Sequence, residues 1–186
     1  MAILFLIGPR GCGKTAAAAL LKRDYHCCTC DTDVLIQERS GKTVAEIVKQ
    51  EGWSAFRSLE KKILSEAVGH MGEITDAPVV IATGGGIVLD PDNREQMRRH
   101  GVVAYLAAPA VVLAGRLKLS ASDPSRPSRP SLTGLPQEQE IVEILKERDP
   151  LYRMTAHHII DAAMPPTQVA HMLYSLANGA LDGGIV

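Results

Sequence analysis

Ala2-Ile3-Leu4-Phe5-Leu6-Ile7-Gly8-Pro9-Arg10-Gly11-Cys12-Gly13-Lys14-Thr15 is the stretch on which the reading of the whole chain turns. The unbroken apolar run from Ala2 to Ile7 stops at a glycine, the pattern of a short strand buried on both faces. Gly8 to Thr15 then fits G-x-x-x-x-G-K-[ST], and helix-forming residues follow from Lys14. That pattern carries chemistry only between a strand and a helix, and both neighbours are present. The glycines let backbone N–H groups turn inward around phosphate oxygens, and the helix aims its positive end at them. Lys14 reaches the β and γ phosphates, and the Thr15 hydroxyl suits Mg²⁺. The loop therefore predicts nucleotide binding through Gly11, Cys12, Gly13, Lys14, Thr15 and Ala16.

Outward from this loop, apolar runs alternate with helical patterns, which predicts an α/β fold built of βα units around a parallel sheet. Strands are expected at Ala2 to Ile7, Cys27 to Cys30, Val79 to Ala82, Val102 to Leu106 and His158 to Ile160, giving a sheet of five. Helices are expected at Lys14 to Lys22, Asp33 to Arg39, Thr43 to Gln50 and Gly52 to about Val68, with later ones from Pro91, Pro109, Gln137 and Pro165. Between Asp33 and Leu64 helices follow one another without a strand. They read as an excursion off the sheet, able to hold a substrate. Ser120 to Ser131 replaces aliphatic residues with proline, serine and arginine, and reads as a lid or binding loop whose arginines suit phosphate. The expected organisation is a single domain over 1–178, with a substrate-binding insertion at about 33–64, a mobile lid at about 117–136 and a disordered tail at 179–186.

The chain has 186 residues, with 20 lysines and arginines against 21 acidic side chains. A net charge of -1 gives no overall positive field to favour nucleic acid or an anionic membrane surface. No apolar run is long enough to cross a bilayer, and the first residues lack the pattern of a secretory signal, so a cytoplasmic monomer is expected. Cys12, Cys27, Cys28 and Cys30 make a poor disulfide framework and are expected to pack as small apolar residues. His157 and His158 stand at the start of the last strand, where adjacent residues point to opposite faces, and read as packing and edge polarity rather than a ligand pair.

Nucleotide binding leaves the phosphoryl acceptor open. Asp31-Thr32-Asp33 stands at the carboxyl end of the second strand, where open parallel sheets bind ligands. Two carboxylates there can divide metal and hydroxyl duties, or one can simply cap the next helix. Arg57 and Glu60 are three apart on a helix, so the glutamate can orient the guanidinium toward a ligand carboxylate. Thr83-Gly84-Gly85-Gly86 implies either close backbone approach to a ligand or a flexible turn.

Taken in order, Gly8 to Thr15, Asp31-Thr32-Asp33, Gly52 to Glu60 with Phe56-Arg57, Gly84-Gly85-Gly86, Arg129-Pro130 and Arg148-Asp149-Pro150-Leu151-Tyr152 resemble the series found in shikimate kinases. The resemblance covers about Met1 to Asp161. It implies a three-layer P-loop fold like that of nucleoside monophosphate kinases, and transfer of the ATP γ-phosphoryl to the 3-hydroxyl of shikimate. By residue match, Asp33 binds the acceptor hydroxyls and takes the proton, and Arg57 and Arg148 hold the carboxylate. The glycine run Gly84, Gly85 and Gly86 presents backbone amides. Thr15 and Asp31 serve Mg²⁺, Lys14 and the lid residue Arg129 serve the phosphates, and Arg116 lies against adenine.

Three positions depart from the family pattern. The segment from Leu117 to Pro130 is longer and richer in proline, Ser131 stands where leucine is common, and Ala162-Ala163-Met164-Pro165 lacks an arginine after the last strand's aspartate. Arg126 is either a replacement cationic contact or a solvated side chain. The competing readings are another small-molecule kinase, for example one acting on a sugar acid, and a non-catalytic nucleotide-binding regulator. The presence of Lys14, Asp33 and Arg57 together weighs against the regulator.

Overall fold

A computed structural model describes residues 3–71, 77–121 and 134–179. Most of the expected lid, including Arg126 and Arg129, and the tail from 180 lie outside the described residues. Strand β1 (Ile3–Ile7) leads through the glycine loop into α1 (Lys14–Tyr25), then β2 (Cys28–Asp31), α2 (Thr32–Ser40) and α3 (Val44–Met71). After β3 (Val79–Ala82) and a single 3₁₀ turn at Ile87–Leu89 come α4 (Pro91–His100), β4 (Gly101–Ala107) and α5 (Ala110–Ala121). The chain continues through α6 (Gln137–Thr155), β5 (His158–Asp161) and α7 (Pro166–Ala177).

The five strands form one sheet in the order β2-β3-β1-β4-β5, every pairing parallel. Because side chains alternate across a strand, β1 feeds two separate cores. Leu4 and Leu6 pack with Ala17 and Leu21 of α1 and Val169 and Leu173 of α7. Ile3, Phe5 and Ile7 pack on the other face with Leu64 of α3, Met97 of α4 and Tyr152 of α6. All five β1 side chains are buried, and truncating one such leucine to alanine costs about 2–5 kcal/mol. The result is the expected three-layer α/β arrangement.

The excursion after β2 has its own small core of Ile36, Ile47, Phe56 and Ile63. Its two expected helices are both present within α3, separated at Gly52, whose φ of 85° and ψ of 171° are non-helical. That left-handed φ is costly for a residue with a side chain, so glycine sits at the bend between the two halves. Strand β2 begins at Cys28 rather than Cys27, although Cys27 is buried against the α1 core. All four cysteines are free, with Cys12 and Cys27 buried and Cys28 and Cys30 partly covered. Burial pushes the Cys30 thiol up to about 11, which keeps it protonated and unreactive.

Two contacts fix α6 against the sheet. The guanidinium of Arg98, in the last turn of α4, donates to the carbonyls of Thr155 at 2.9 Å and Met154 at 3.3 Å, so a cation caps the negative end of α6. His157 N–H donates to the Val103 carbonyl at 2.8 Å while its Nδ1 accepts the Val103 N–H at 3.0 Å, attaching the start of β5 to β4. Among the described residues no helix is long and apolar enough to cross a membrane.

Candidate active site

The carboxyl ends of β1, β2 and β3 meet at one edge of the sheet, and the expected site residues gather there. Gly8, Gly11 and Gly13 have φ of 142°, 86° and 101°, so the loop between β1 and α1 uses conformations that side chains rarely adopt. Gly8 is also walled in: a Cβ there would stand 2.8 Å from the Leu106 carbonyl and 2.9 Å from Cys12 Sγ. Lys14 is buried, and its Nζ donates to the carbonyls of Gly8 at 2.7 Å and Pro9 at 3.0 Å. Arg116 of α5 joins the loop to the far end of the sheet, donating to the carbonyls of Cys12 at 3.4 Å and Ala162 at 2.8 Å.

Asp31 works in two directions. Its Oδ1 accepts the N–H groups of Asp33 at 3.0 Å and Val34 at 3.4 Å, capping α2, a contribution of about 1 kcal/mol. Its Oδ2 accepts the Thr15 hydroxyl at 2.8 Å. The capping role and the pairing with Thr15 thus coexist. Two hard oxygen donors side by side suit Mg²⁺, which keeps several waters and phosphate oxygens and needs few protein ligands.

Across from the loop, a cleft of ≈ 850 Å³, counted out to its open mouth, is lined by Asp33, Arg57, Glu60, the glycine run 84–86 and Arg148, with Pro9 and Arg10 on the loop side. Glu60 is 1% exposed and its Oε2 accepts from Arg57 at 2.5 Å. Burial pushes the Glu60 carboxyl up against the pull of the Arg57 guanidinium, and nearby Asp33 adds to the upward push. Arg57 also lies over the rings of Trp53 and Phe56, at 5.5 and 5.1 Å. Its charge is therefore held by a carboxylate at one end and stacked on aromatic faces. Arg148 is 7% exposed, and among the described residues its Nε hydrogen-bonds to no protein acceptor, the nearest carboxylate being Glu147 at 3.6 Å.

Crowding, not flexibility, explains two of the three glycines, whereas a Cβ on Gly85 would come no nearer than 3.4 Å to the Gly8 carbonyl. A Cβ on Gly84 would sit 2.5 Å from Glu60 Oε1 and 2.7 Å from Asp33 Oδ1, and a Cβ on Gly86 would collide with the Arg57 guanidinium. The sequence offered close backbone approach to a ligand or a flexible turn; what approaches Gly84 and Gly86 here is the protein's own charged side chains. Gly84 N–H is taken up by Thr32 Oγ1 at 3.1 Å, so this glycine contributes space rather than a free amide.

Of the expected site residues, the structure brings together Lys14, Thr15 and Asp31 on the loop side and Asp33, Arg57, Gly84, Gly85, Gly86 and Arg148 across the cleft. Gly11, Cys12 and Gly13 belong to the loop, Ala16 lies exposed on the first turn of α1, and Arg129 is outside the described residues. Sequence reasoning gave no role to Trp53 or Tyr152, both of which line the cleft. Tyr152 stands four residues after Arg148, one helical turn along the same face, and that spacing was the available signal.

Comparison with known proteins agrees with this geometry. The family profile described as Shikimate kinase matches residues 10–177. Shikimate kinase 2 of Enterobacter sp. (strain 638) is 45% identical over 174 residues, covering 93% of this chain and 94% of the relative. Shikimate kinase 2 of Shigella flexneri is 49% identical over 166 residues, 89% of this chain and 90% of the relative. Among solved structures, shikimate kinase from Acinetobacter baumannii in complex with shikimate superposes with a TM-score of 0.83 at 29% identity, covering 98% of this chain and 96% of that one. A gluconokinase from Sinorhizobium meliloti, covering 96% of this chain and 93% of its own, reaches a TM-score of 0.52 at 11% identity and shares the fold alone. With a phosphate loop, a capped aspartate pair and a buried arginine cleft in one place, and with relatives matched over nearly their whole length, the chain belongs to the shikimate kinase family.

Proposed function

We propose that the protein transfers the γ-phosphoryl group of ATP to the 3-hydroxyl of shikimate, releasing shikimate 3-phosphate and ADP. The observation that carries this reading is the cleft itself. Two arginines, one whose buried Nε makes no hydrogen bond among the described residues, share a cleft with the carboxylates of Asp33 and Glu60, and Pro9 and Arg10 of the phosphate loop line the same cleft. An acceptor with one carboxylate and neighbouring hydroxyls satisfies both sides of that cleft.

In this reading Arg57 and Arg148 grip the acceptor carboxylate, and Arg57 is already aligned by Glu60 and the aromatic faces beneath it. Asp33 accepts the proton of the attacking hydroxyl, whose oxygen bonds to the γ phosphorus as the bond to the β–γ bridging oxygen breaks. Lys14 exchanges its loop carbonyls for phosphate oxygens. Thr15 and Asp31 hold Mg²⁺, which when bound neutralises charge on the phosphates. Phosphoryl transfer demands mostly positioning and charge stabilisation, which is what these groups supply. The proposal extends to Arg116 against the adenine and Arg129 over the phosphates, and to a cytoplasmic monomer.

A coupled assay of ADP release with ATP and Mg²⁺ tests the reading across shikimate, quinate, gluconate, AMP and no acceptor. Stimulation by shikimate alone is expected. Stimulation by another acceptor, or none despite ATP binding, overturns it.

A further inference from the structure

The glycine turn after β3 can be accounted for group by group. Gly84 N–H bonds to Thr32 Oγ1, and the carbonyls of Gly84 and Gly86 accept the N–H groups of Ile87 at 3.2 Å and Leu89 at 3.0 Å. The Gly85 carbonyl accepts the Tyr152 hydroxyl at 2.5 Å and, more distantly, Arg148 Nη1 at 3.4 Å. What is left over is a pair of donors: among the described residues no acceptor takes the N–H of Gly85 or of Gly86. Buried backbone N–H groups without partners are rare, and Gly86 is buried while Gly85 is only partly so, which leaves the Gly86 N–H as a donor available to a ligand in the cleft.

The direction of one of them is set by Tyr152. The peptide joining Gly85 and Gly86 is planar and trans, so its carbonyl and its N–H point opposite ways. Holding the carbonyl therefore aims the N–H. On this peptide plane the Tyr152 hydroxyl makes the shorter of the two hydrogen bonds, the other being the 3.4 Å contact from Arg148. Tyr152 itself is rigidly placed. It is 0% exposed and its ring stacks on Tyr105 at 4.9 Å. The Tyr105 hydroxyl donates to Asp149 Oδ1 at 2.8 Å, and Asp149 Oδ2 accepts from Arg153 at 2.6 Å. Burial raises the Tyr152 hydroxyl well above the ordinary tyrosine range, so it stays a donor throughout the working pH range.

We propose that Tyr152 is a positioning residue for the acceptor: by holding the Gly85 carbonyl it turns the Gly86 N–H toward the bound acceptor, acting from the same helix face that carries Arg148. The inference rests on the proposed function, because it needs an oxygen-bearing acceptor in this cleft. It assigns Tyr152 no contact with the reacting atoms.

Tyr152→Phe removes the hydroxyl and keeps the ring. The expected result is a KM for shikimate raised about fivefold, the size of one neutral hydrogen bond, with KM for ATP within about twofold of the parent. A variant that merely melts earlier while both KM values stay put overturns the inference. A second measurement uses the unaltered protein labelled with ¹⁵N-glycine and titrated with shikimate. The Gly86 amide signal is expected to shift in step with binding, and an unmoved signal at saturation overturns the proposal even if the phenylalanine variant does not fold. If the parent protein binds and phosphorylates no shikimate, the function assigned above fails first. Intact turnover with an indifferent Tyr152 and Gly86 sinks only this further step.

Discussion

The phosphate loop and the acceptor cleft face each other across a few ångströms, yet they are built on opposite principles. The loop is eight consecutive residues, Gly8 to Thr15, that present mostly backbone, and its shape follows from three glycines with positive φ. The cleft draws on α2, α3, the turn after β3 and α6, and presents charged side chains whose positions depend on one another. A local device tolerates distant change, whereas an assembled one transmits it. Damage to the cleft should therefore spread among its members while sparing nucleotide binding.

The sharpest way to break that contrast is Asp33→Asn. Phosphoryl transfer is expected to fall by about 10³-fold, the range of a lost general base, while ATP affinity measured by calorimetry stays within about twofold. Lys14→Ala is the mirror case, losing nucleotide affinity together with activity. If Asp33→Asn weakened ATP binding as much as Lys14→Ala does, the two sites would not be separable.

Next in size is Glu60→Ala, which strips a buried partner from Arg57. Removing one member of such a pair costs up to about 3 kcal/mol, and a thermal midpoint lowered by roughly 5–10 °C is expected, along with a raised KM for the acceptor. An unchanged acceptor KM would show that the aromatic faces alone align Arg57.

Gly84→Ala should act more mildly. Its methyl would press on the carboxylates of Asp33 and Glu60, an overpacking of about 1–2 kcal/mol, and acceptor KM is expected to rise about tenfold with little change for ATP. A neutral result would mean that the two carboxylates can move aside.

The smallest effect sharpens the comparison by belonging to neither site. Partial burial lowers the pKa of His157, helped by the charges of Arg98 and His158. The unfolded chain then binds this proton more readily than the folded one. Its stabilising contribution is complete above about pH 6.5 and fades as pH falls through the lower folded value. His157→Asn, which keeps an acceptor for Val103 N–H, should flatten the stability slope below about pH 6.5. A slope identical to the parent's would remove this assignment.

What could be read in advance follows the same division. The loop is legible because its chemistry is carried by adjacent residues with one structural context. The strands are legible because each is a short apolar run closed by glycine, aspartate or proline. Asp33, Arg57 and Arg148 were reached through the order of motifs rather than from any local rule. The reason for Gly84 and Gly86 was not accessible, since neither has a positive φ and both are demanded by side chains from α2 and α3. The tie from Tyr152 to Gly85 spans 67 positions, and only packing of α6 on the sheet creates it. The break between the two halves of α3 was legible because Gly52 reads as a stop, and the backbone there is non-helical.

Lys14 gives the loop a further property. With its ammonium already committed to the carbonyls of Gly8 and Pro9, capture of a nucleotide under the proposed function is a substitution at that nitrogen, in which uncharged acceptors leave and anionic ones arrive. A solute offering only neutral oxygens gains nothing by the swap, whereas a polyphosphate adds the attraction of full opposite charges. The lysine is thus a discriminator as well as a hook, answering to formal charge and indifferent to oxygen as such.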